Sequence, residues 1–320
     1  MMKYLLSTIM ITALVTCLSA QNTSGSKRIG LYTMNIGEIE AVVISDGHLL
    51  VNPVQAEFAQ HIDPSKVAET LKEHFASPAE IDLAMNILLL KIGTHRILID
   101  VGAGYRFGNG CGHLTENLRY AGISPDEITD IVLTHAHPDH IGGLTNQKGE
   151  LIFPNANVYI AEAEYKFWMS QKPDFSKSTM TDMVHKKMLV DVAQQNITAT
   201  VDKLHLFHNG DDLLGCLQMN ITAGHTPGHA IIRIYSQSDE LYHIADIVHS
   251  EIISFINPEW IYNSDTDYRS GNESRRVVLT KMAESKALFF AYHLPWPGLG
   301  YAKKQANIYE WVQKKVAMPY

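Results

Sequence analysis

Thr134-His135-Ala136-His137-Pro138-Asp139-His140 sets three histidines and an aspartate among the six positions from His135 to His140. Ordinary packing gives no reason for such a density of metal-ligating side chains. His135 and His137 are two apart, so an extended strand end would aim both imidazoles to one side, where they can grip one ion together. Pro138 then takes the chain out of the strand, which lets Asp139 and His140 face a second ion. The run Glu127–Leu133 before the cluster reads as a buried strand entering it. Ile141-Gly142-Gly143-Leu144 after it reads as a helix start where backbones approach closely. One histidine among the sixteen in the chain would mean little. Four ligands in this order, between a strand and a turn, predict a two-metal site.

The rest of the composition narrows the partner. The chain has 320 residues, 46% hydrophobic and 19% charged, enough for one large domain or two small ones with a sizeable core. A formal net charge of -8 and the lack of any long Lys/Arg run argue against nucleic acid and anionic membranes. A neutral or small organic substrate fits better. Residues 1–20 stand apart: Lys3 is followed by a mostly apolar stretch from Leu5 to Leu18, and Leu18-Ser19-Ala20 ends on a small residue. They predict a signal peptide, too short to span a membrane comfortably, with a mature domain over 21–320 beginning near Gln21. The protein is then exported, periplasmic or secreted, with no membrane attachment once the signal is removed. Cys17 suggests a lipoprotein instead, but Thr16 is a poor match for the small residue wanted before it. Cys111 and Cys216 remain, and in an exported protein they could pair.

Along the mature chain, 21–36 reads as a polar surface arm. Strands follow at 40–45, 83–92 and 96–101, the last two joined by Gly93-Thr94-His95. Val67, Leu71 and Phe75, four apart after Asp63-Pro64, predict a capped amphipathic helix. Ser124-Pro125-Asp126-Glu127 reads as a helix start, and 157–160 as a short strand. The segment 161–190 holds Tyr165, Phe167, Trp168, Met169, Phe175, Met180 and Met183. Helical packing is the plainer reading for most of these, with some available to wall an apolar pocket. Strands are expected at 204–207, 219–222, 230–235, 241–244 and 287–292, and helices at 273–286 and 302–316. No linker or short repeat interrupts this pattern, so one domain with two similar halves is expected.

Two ions need more ligands than one cluster supplies, and the sequence offers them at strand ends. His225 lies in Gly224-His225-Thr226-Pro227-Gly228-His229, after the 219–222 strand. Asp246 ends the apolar strand 241–245, a poor place for a carboxylate unless something positive meets it. His293 follows the 287–292 strand. Together with Leu98-Ile99-Asp100-Val101-Gly102 upstream, these motifs resemble the metallo-β-lactamase fold superfamily over essentially the whole mature chain. The resemblance implies an α/β fold: an αββα sandwich of two facing mixed sheets with helices outside and metals at one edge. It implies that His135, His137 and His225 hold one divalent ion, that Asp139, His140 and His293 hold a second, and that Asp246 bridges them. Zinc suits these ligands best, with iron, cobalt or manganese as alternatives. Asp100 matches a position that supports the metal loop, and His229 one that is usually not a ligand.

Two ions a few ångströms apart supply hydroxide from a shared water at neutral pH, so the chemistry implied is hydrolysis, with Asp139 shuttling the proton. The absence of cysteine at Asp246 separates the chain from zinc-cysteine β-lactamases. His293-Leu294-Pro295-Trp296-Pro297-Gly298-Leu299-Gly300 and Ala245-Asp246-Ile247-Val248-His249 resemble the subfamily of methyl parathion hydrolase and N-acyl homoserine lactonases. Within it a quorum-quenching lactonase acting on a small-molecule lactone is the expectation, ahead of a phosphotriesterase and then a β-lactamase. Many such lactonases place a substrate-contacting tyrosine where this chain has His249, which either replaces that tyrosine as a catalytic donor or marks another substrate. The oligomeric state is left open, a homodimer being one option.

Overall fold

The computed structural model describes residues 30–306 and 308–316. The expected signal peptide, Cys17 and residues 21–29 of the expected arm lie outside the described residues. Two seven-stranded sheets carry the chain, and the first takes its strands in sequence order. These are β1 (Leu31–Ile36), β2 (Ile39–Val51), β3 (Ile81–Ile92), β4 (His95–Ile99), β5 (Asp130–Val132), β6 (Asn157–Ala161) and β7 (Leu204–Phe207). β1 to β4 are antiparallel neighbours, whereas β4 to β7 run parallel. The second sheet comprises β8 (Asp212–Leu213), β9 (Leu217–Ile221), β10 (Ala230–Ser236), β11 (Asp239–His243), β12 (Phe289–Phe290), β13 (Leu299–Gln305) and β14 (Ile308–Gln313). It is mixed as well, its single parallel pair being β11 and β12.

The helices are α1 (Val54–Phe58), α2 (Pro64–Glu73), α3 (Leu114–Tyr120), α4 (Pro138–Ile141), α5 (Glu162–Trp168), α6 (Met183–Ala199), α7 (Ile253–Ile256) and α8 (Tyr268–Ser285). Burial shows how these layers stack. Ala41, Val43, Leu88, Leu90, Ile97 and Ile99 of the first sheet share one apolar cluster with Leu217, Met219, Ile232, Ile234 and Phe290 of the second. Alternate residues of the same strands, such as Val42, Ile44, Ile87 and Leu98, meet α3, α5 and α6 in another cluster. On the outer face of the second sheet, Ile231 and Phe289 pack on Val278, Leu279 and Met282 of α8. The two-residue alternation over Ala41–Ile44 and Ile87–Leu90 therefore buries both faces, which is the αββα sandwich. Each fully buried aliphatic side chain in these clusters contributes roughly 1.5–3 kcal/mol.

Several expected elements differ in the structure. Residues 302–316 form no helix; they supply the hairpin β13–β14, paired from Gly300 with Gln313 to Gln305 with Ile308. Ala302, Ala306 and Tyr309 imitate helical spacing, but Ile308, Tyr309, Trp311 and Val312 favour strand, and the chain reverses at Ala306 with φ +53°. Residues 31–36, expected in a surface arm, form β1 on the edge of the first sheet. Phe75 is no part of the apolar face of α2: that helix ends at Glu73, and Phe75 is fully exposed with φ +60°. The run 127–133 contains only the three-residue β5, and 287–292 only the two-residue β12. Ser124 and Glu127 make a capping box, yet it opens one 3-10 turn rather than a helix. The 161–190 segment divides into α5 and α6 with an irregular stretch between them. Cys111 and Cys216 are free thiols buried in different clusters, so they do not pair. Among the described residues no helix is long and apolar enough to cross a membrane.

Candidate metal centre

All seven expected ligands leave the C-terminal ends of strands and meet at one edge of the sandwich. The cluster from His135 to His140 follows β5, His225 follows β9, Asp246 follows β11 and His293 follows β12. Their turns are built for close approach. A Cβ on Gly143 would collide with the Val101 carbonyl oxygen, whereas glycine lets its N–H reach the Gly102 carbonyl at 2.9 Å. His135 and His137 do not share a strand face as expected, because β5 ends at Val132. They converge from the loop instead, their rings 4.8 Å apart and nearly perpendicular.

Donor atoms of His135, His137 and His225 lie within 4.8 Å of one another, as do those of Asp139, His140 and His293. Asp246 sits between the sets. Its Oδ2 is 3.3 Å from His225 Nε2 and 3.2 Å from His293 Nε2, and its Oδ1 is 3.2 Å from His140 Nε2. Hydrogen bonds on the far side of three of the rings show which nitrogen is left for a cation. His140 Nδ1 meets Asp100 Oδ2 at 2.9 Å, His225 Nδ1 meets Asp265 Oδ1 at 2.8 Å, and His293 Nδ1 meets the Ala84 carbonyl at 2.9 Å. With Nδ1–H donating, Nε2 carries the lone pair. The Nε2 atoms of His135 and His140 and Oδ1 of Asp246 are buried without a hydrogen-bond partner in the protein. Unpaired buried donors and acceptors are costly, and three that converge fit divalent cations shared between imidazole and carboxylate.

The charges follow the same logic. Burial raises the pKa of Asp246, but His140, His293, His135 and His249 outweigh it and hold the carboxyl well below its ordinary range. Burial likewise opposes protonation of His225 and His293, yet the carboxylates facing them raise each to about 9. Protons and divalent cations thus compete for the same seats. His249 differs: burial wins over the nearby Asp246 and lowers it to about 4, so its ring is neutral. Its Nε2 lies 3.1 Å from Asp246 Oδ2, and its ring stacks on His293 with centroids 5.0 Å apart.

The surrounding side chains hold these loops. Asp100, at φ +61°, accepts from Thr134 N–H and Oγ1–H, both at 2.8 Å, as well as facing His140, so it positions rather than joins the cluster. His229 is also outside the ligand groups; its Nε2 accepts the Asp246 N–H at 3.1 Å. The sequence reading missed Glu164, Asp265 and Arg275. Glu164 Oε1 accepts from Ala136 N–H at 2.9 Å and Oε2 from Gly228 N–H at 2.8 Å, tying two ligand loops together. Glu164 resembles any acid in a helix's first turn, and Asp265 lies in an irregular loop, so neither leaves a spacing signal.

A cavity of about 300 Å³ opens onto Asp139, His225, Asp246, His249 and His293. Its apolar wall is Leu49, Leu50, Val51, Phe58, Leu83, Phe107 and Leu189. The aromatic segment contributes little to that wall. Trp168 and Met180 are buried in the core beneath α5 and α6, Tyr165, Phe167, Met169 and Phe175 pack against it, and Met183 is exposed. A larger cavity of about 880 Å³ shares Leu50 but includes none of the seven ligands, so the smaller one is where chemistry can occur.

The sequence matches the family model of the metallo-beta-lactamase superfamily over residues 82–292. No curated protein sequence matches the chain. Among solved structures, AidC, a dizinc quorum-quenching lactonase in complex with the product N-hexanoyl-L-homoserine, is similar with a TM-score of 0.87 and 34% identity, covering 90% of this chain and 99% of that one. The hydrolase AbOPH has a TM-score of 0.83 and 30% identity, covering 92% of this chain and all of the other. A quorum-quenching N-acyl homoserine lactone lactonase, at 17% identity and a TM-score of 0.56 over 82% of this chain and 94% of that one, shares the fold. Matched by the family model over most of its length and by two solved structures nearly end to end, the chain belongs to the metallo-beta-lactamase superfamily.

Proposed function

We propose that this protein opens the lactone ring of N-acyl homoserine lactones, with two zinc ions as its cofactors. One observation carries the reading: a single cavity is lined both by the ligand cluster with the neutral His249 and by the apolar side chains Leu49, Leu50, Val51, Phe58, Leu83, Phe107 and Leu189. A polar ring with an alkyl tail suits that division. AidC, which holds an acyl homoserine product, supports it. When bound, two divalent ions supply a nucleophile from water at neutral pH and polarise a carbonyl oxygen.

The side chains account for the remaining steps. Were Asp246 to hold an ion, the Nε2–H of His249, 3.1 Å from Asp246 Oδ2, would be free to donate to the substrate carbonyl. Burial raises the pKa of Asp139, but His140 and His293 reverse this and keep it ionised. Its Oδ2 is 3.4 Å from His293 Nε2 and its side chain borders the cavity, so it can take a proton from the attacking water and pass it to the departing alkoxide. Leu49, Val51 and Phe58 hold the acyl chain and keep water from it. We extend the proposal to an exported protein, cleaved before Gln21, which amino-terminal sequencing of the exported form tests.

The deciding experiment incubates the zinc-loaded protein with N-hexanoyl-L-homoserine lactone and follows acid release together with the mass gain of one water. Absence of the ring-opened acid sinks the reading. Faster p-nitrophenol release from methyl parathion would put a phosphotriesterase in its place, and turnover of nitrocefin a β-lactamase.

A further inference from the structure

His225 sits in the loop after β9, outside the His135 to His140 cluster, and its orientation depends on a neighbouring loop. We propose that Asp265 is the positioning residue that makes His225 a strong donor to the first ion, and that Arg275 anchors Asp265 for that task. The inference rests on the metal centre and not on the identity of the substrate.

The two loops are laced together before any side chain acts. The Thr266 N–H donates to the His225 carbonyl and the Asp267 N–H to the Gly224 carbonyl, both at 2.9 Å. Asp265 Oδ1 then takes the Nδ1–H of His225 at 2.8 Å, with Asp265 1% exposed and His225 4%. A carboxylate behind a ligating imidazole fixes its tautomer and plane and increases its basicity. Helix α8 is shaped to accept that carboxylate. A Cβ at Gly271 would stand 2.6 Å from Asp265 Oδ2, so only glycine leaves it room. One turn further on, Arg275 brings Nη2 to 3.6 Å from the same oxygen.

Arg275 is itself buried, 2% exposed, and a guanidinium there is costly unless its donors and charge are met. Its Nε donates to the Ile247 carbonyl at 3.0 Å, next to Asp246. Nη1 donates to the carbonyls of Pro258 and Trp260 at 2.8 and 3.1 Å. Its plane lies 3.6 Å from the centre of the Tyr262 ring. Tyr262 contacts Ser254 Oγ at 2.6 Å, and that oxygen accepts the His249 N–H at 3.0 Å. One cation thus touches the support of His225, the loop of Asp246 and the support of His249, with Asp265 as its carboxylate partner. A residue serving packing alone would not need all three.

The test compares Asp265→Asn, Arg275→Lys and Gly271→Ala with the unaltered protein, all loaded with cobalt or zinc. Metal retained against a graded chelator is measured along with the visible cobalt spectrum and the melting temperature. Asp265→Asn keeps an acceptor but loses the charge, and is expected to weaken retention of at least one ion about tenfold and to shift the cobalt bands. Gly271→Ala displaces the carboxylate without altering its charge and should do the same, which decides the matter should Asp265→Asn fail to fold. Unchanged ion retention in the folded variants, whatever their melting temperatures, overturns the proposal. Failure of the unaltered protein to bind any ion would instead refute the metal centre itself.

Discussion

His225 and His249 lie with ring centroids 5.2 Å apart, yet their surroundings drive them in opposite directions. His225 faces two carboxylates and is raised to about 9; His249 meets Asp246 alone, and burial lowers it to about 4. A neutral ring is a hydrogen-bond donor that carries no charge to compete with cations. Replacing it by His249→Phe is predicted to lower kcat for the lactone about 100-fold, as expected for one lost donor at a developing oxyanion. Ion content should not change, and His249→Tyr should recover most of the rate. Phenylalanine turnover within twofold of the unaltered enzyme would remove His249 from the mechanism. A second residue-scale prediction concerns Asp46. Burial pushes its carboxyl up to about 6 despite backbone N–H groups of Ala103, Leu114 and Gly112 that favour the ionised form. The folded state therefore binds the proton more tightly than the unfolded chain, so this group's contribution to stability falls as pH rises from about 4 to about 6. Its magnitude is about 3 kcal/mol. Chemical denaturation of the protein and of Asp46→Asn across that range should show the difference narrowing or reversing in that window; parallel curves would contradict it.

The segments that carry the expected ligands were legible because each joins an apolar run or a Gly-rich turn to a polar residue that burial cannot otherwise explain. The strand before His135, the Gly-rich turn at His225 and the apolar run before Asp246 all announce themselves in this way. The hairpin β13–β14 did not, since beside Ala306 the sequence offers a single Asn307 and no Gly or Pro, a weak turn signal inside an apparently helical spacing. Supporting carboxylates were illegible for a related reason: Glu164 acts across 28 residues to Ala136 and 64 to Gly228, so no local spacing records it. Its removal makes an element-scale prediction. Glu164→Ala strips the acceptor from Ala136 N–H, Gly228 N–H and Trp168 Nε1–H, the last at 2.6 Å. Leaving three buried donors unmet should cost about 3–5 kcal/mol, read from the denaturation midpoint. Glu164→Gln keeps one acceptor and should lose less. The two loops would need another tie if the alanine variant stayed within about 1 kcal/mol of the unaltered protein.

At the scale of the molecule, the site is divided between the sheets. His135, His137, Asp139 and His140 project from the end of β5 in the first sheet, whereas His225, Asp246 and His293 project from β9, β11 and β12 in the second. The sheets are otherwise joined by the apolar cluster between them and by a few hydrogen bonds, among them Ala230 N–H to the Thr134 carbonyl and Asn86 N–H to the Tyr292 carbonyl. Divalent cations at the edge would act as cross-links between the halves and neutralise the convergence of unpaired polar atoms there. Since they bind the folded arrangement and not the unfolded chain, their stabilisation follows mass action, about 2.7 kcal/mol per site at a hundredfold excess over the dissociation constant. For two sites, and a slope of about 2–4 °C per kcal/mol in a protein of this class, stripping both ions should lower the melting temperature by at least about 10 °C. Calorimetry before and after exhaustive chelation, with zinc added back, checks this. The drop should reverse on reloading and should shrink as pH falls below about 9, because protons then occupy His225 and His293, stabilising the ion-free fold and weakening the hold on the ion. A melting temperature indifferent to complete ion removal would mean that the two sheets need no bridge at this edge, and that the cluster is held together by its protons alone.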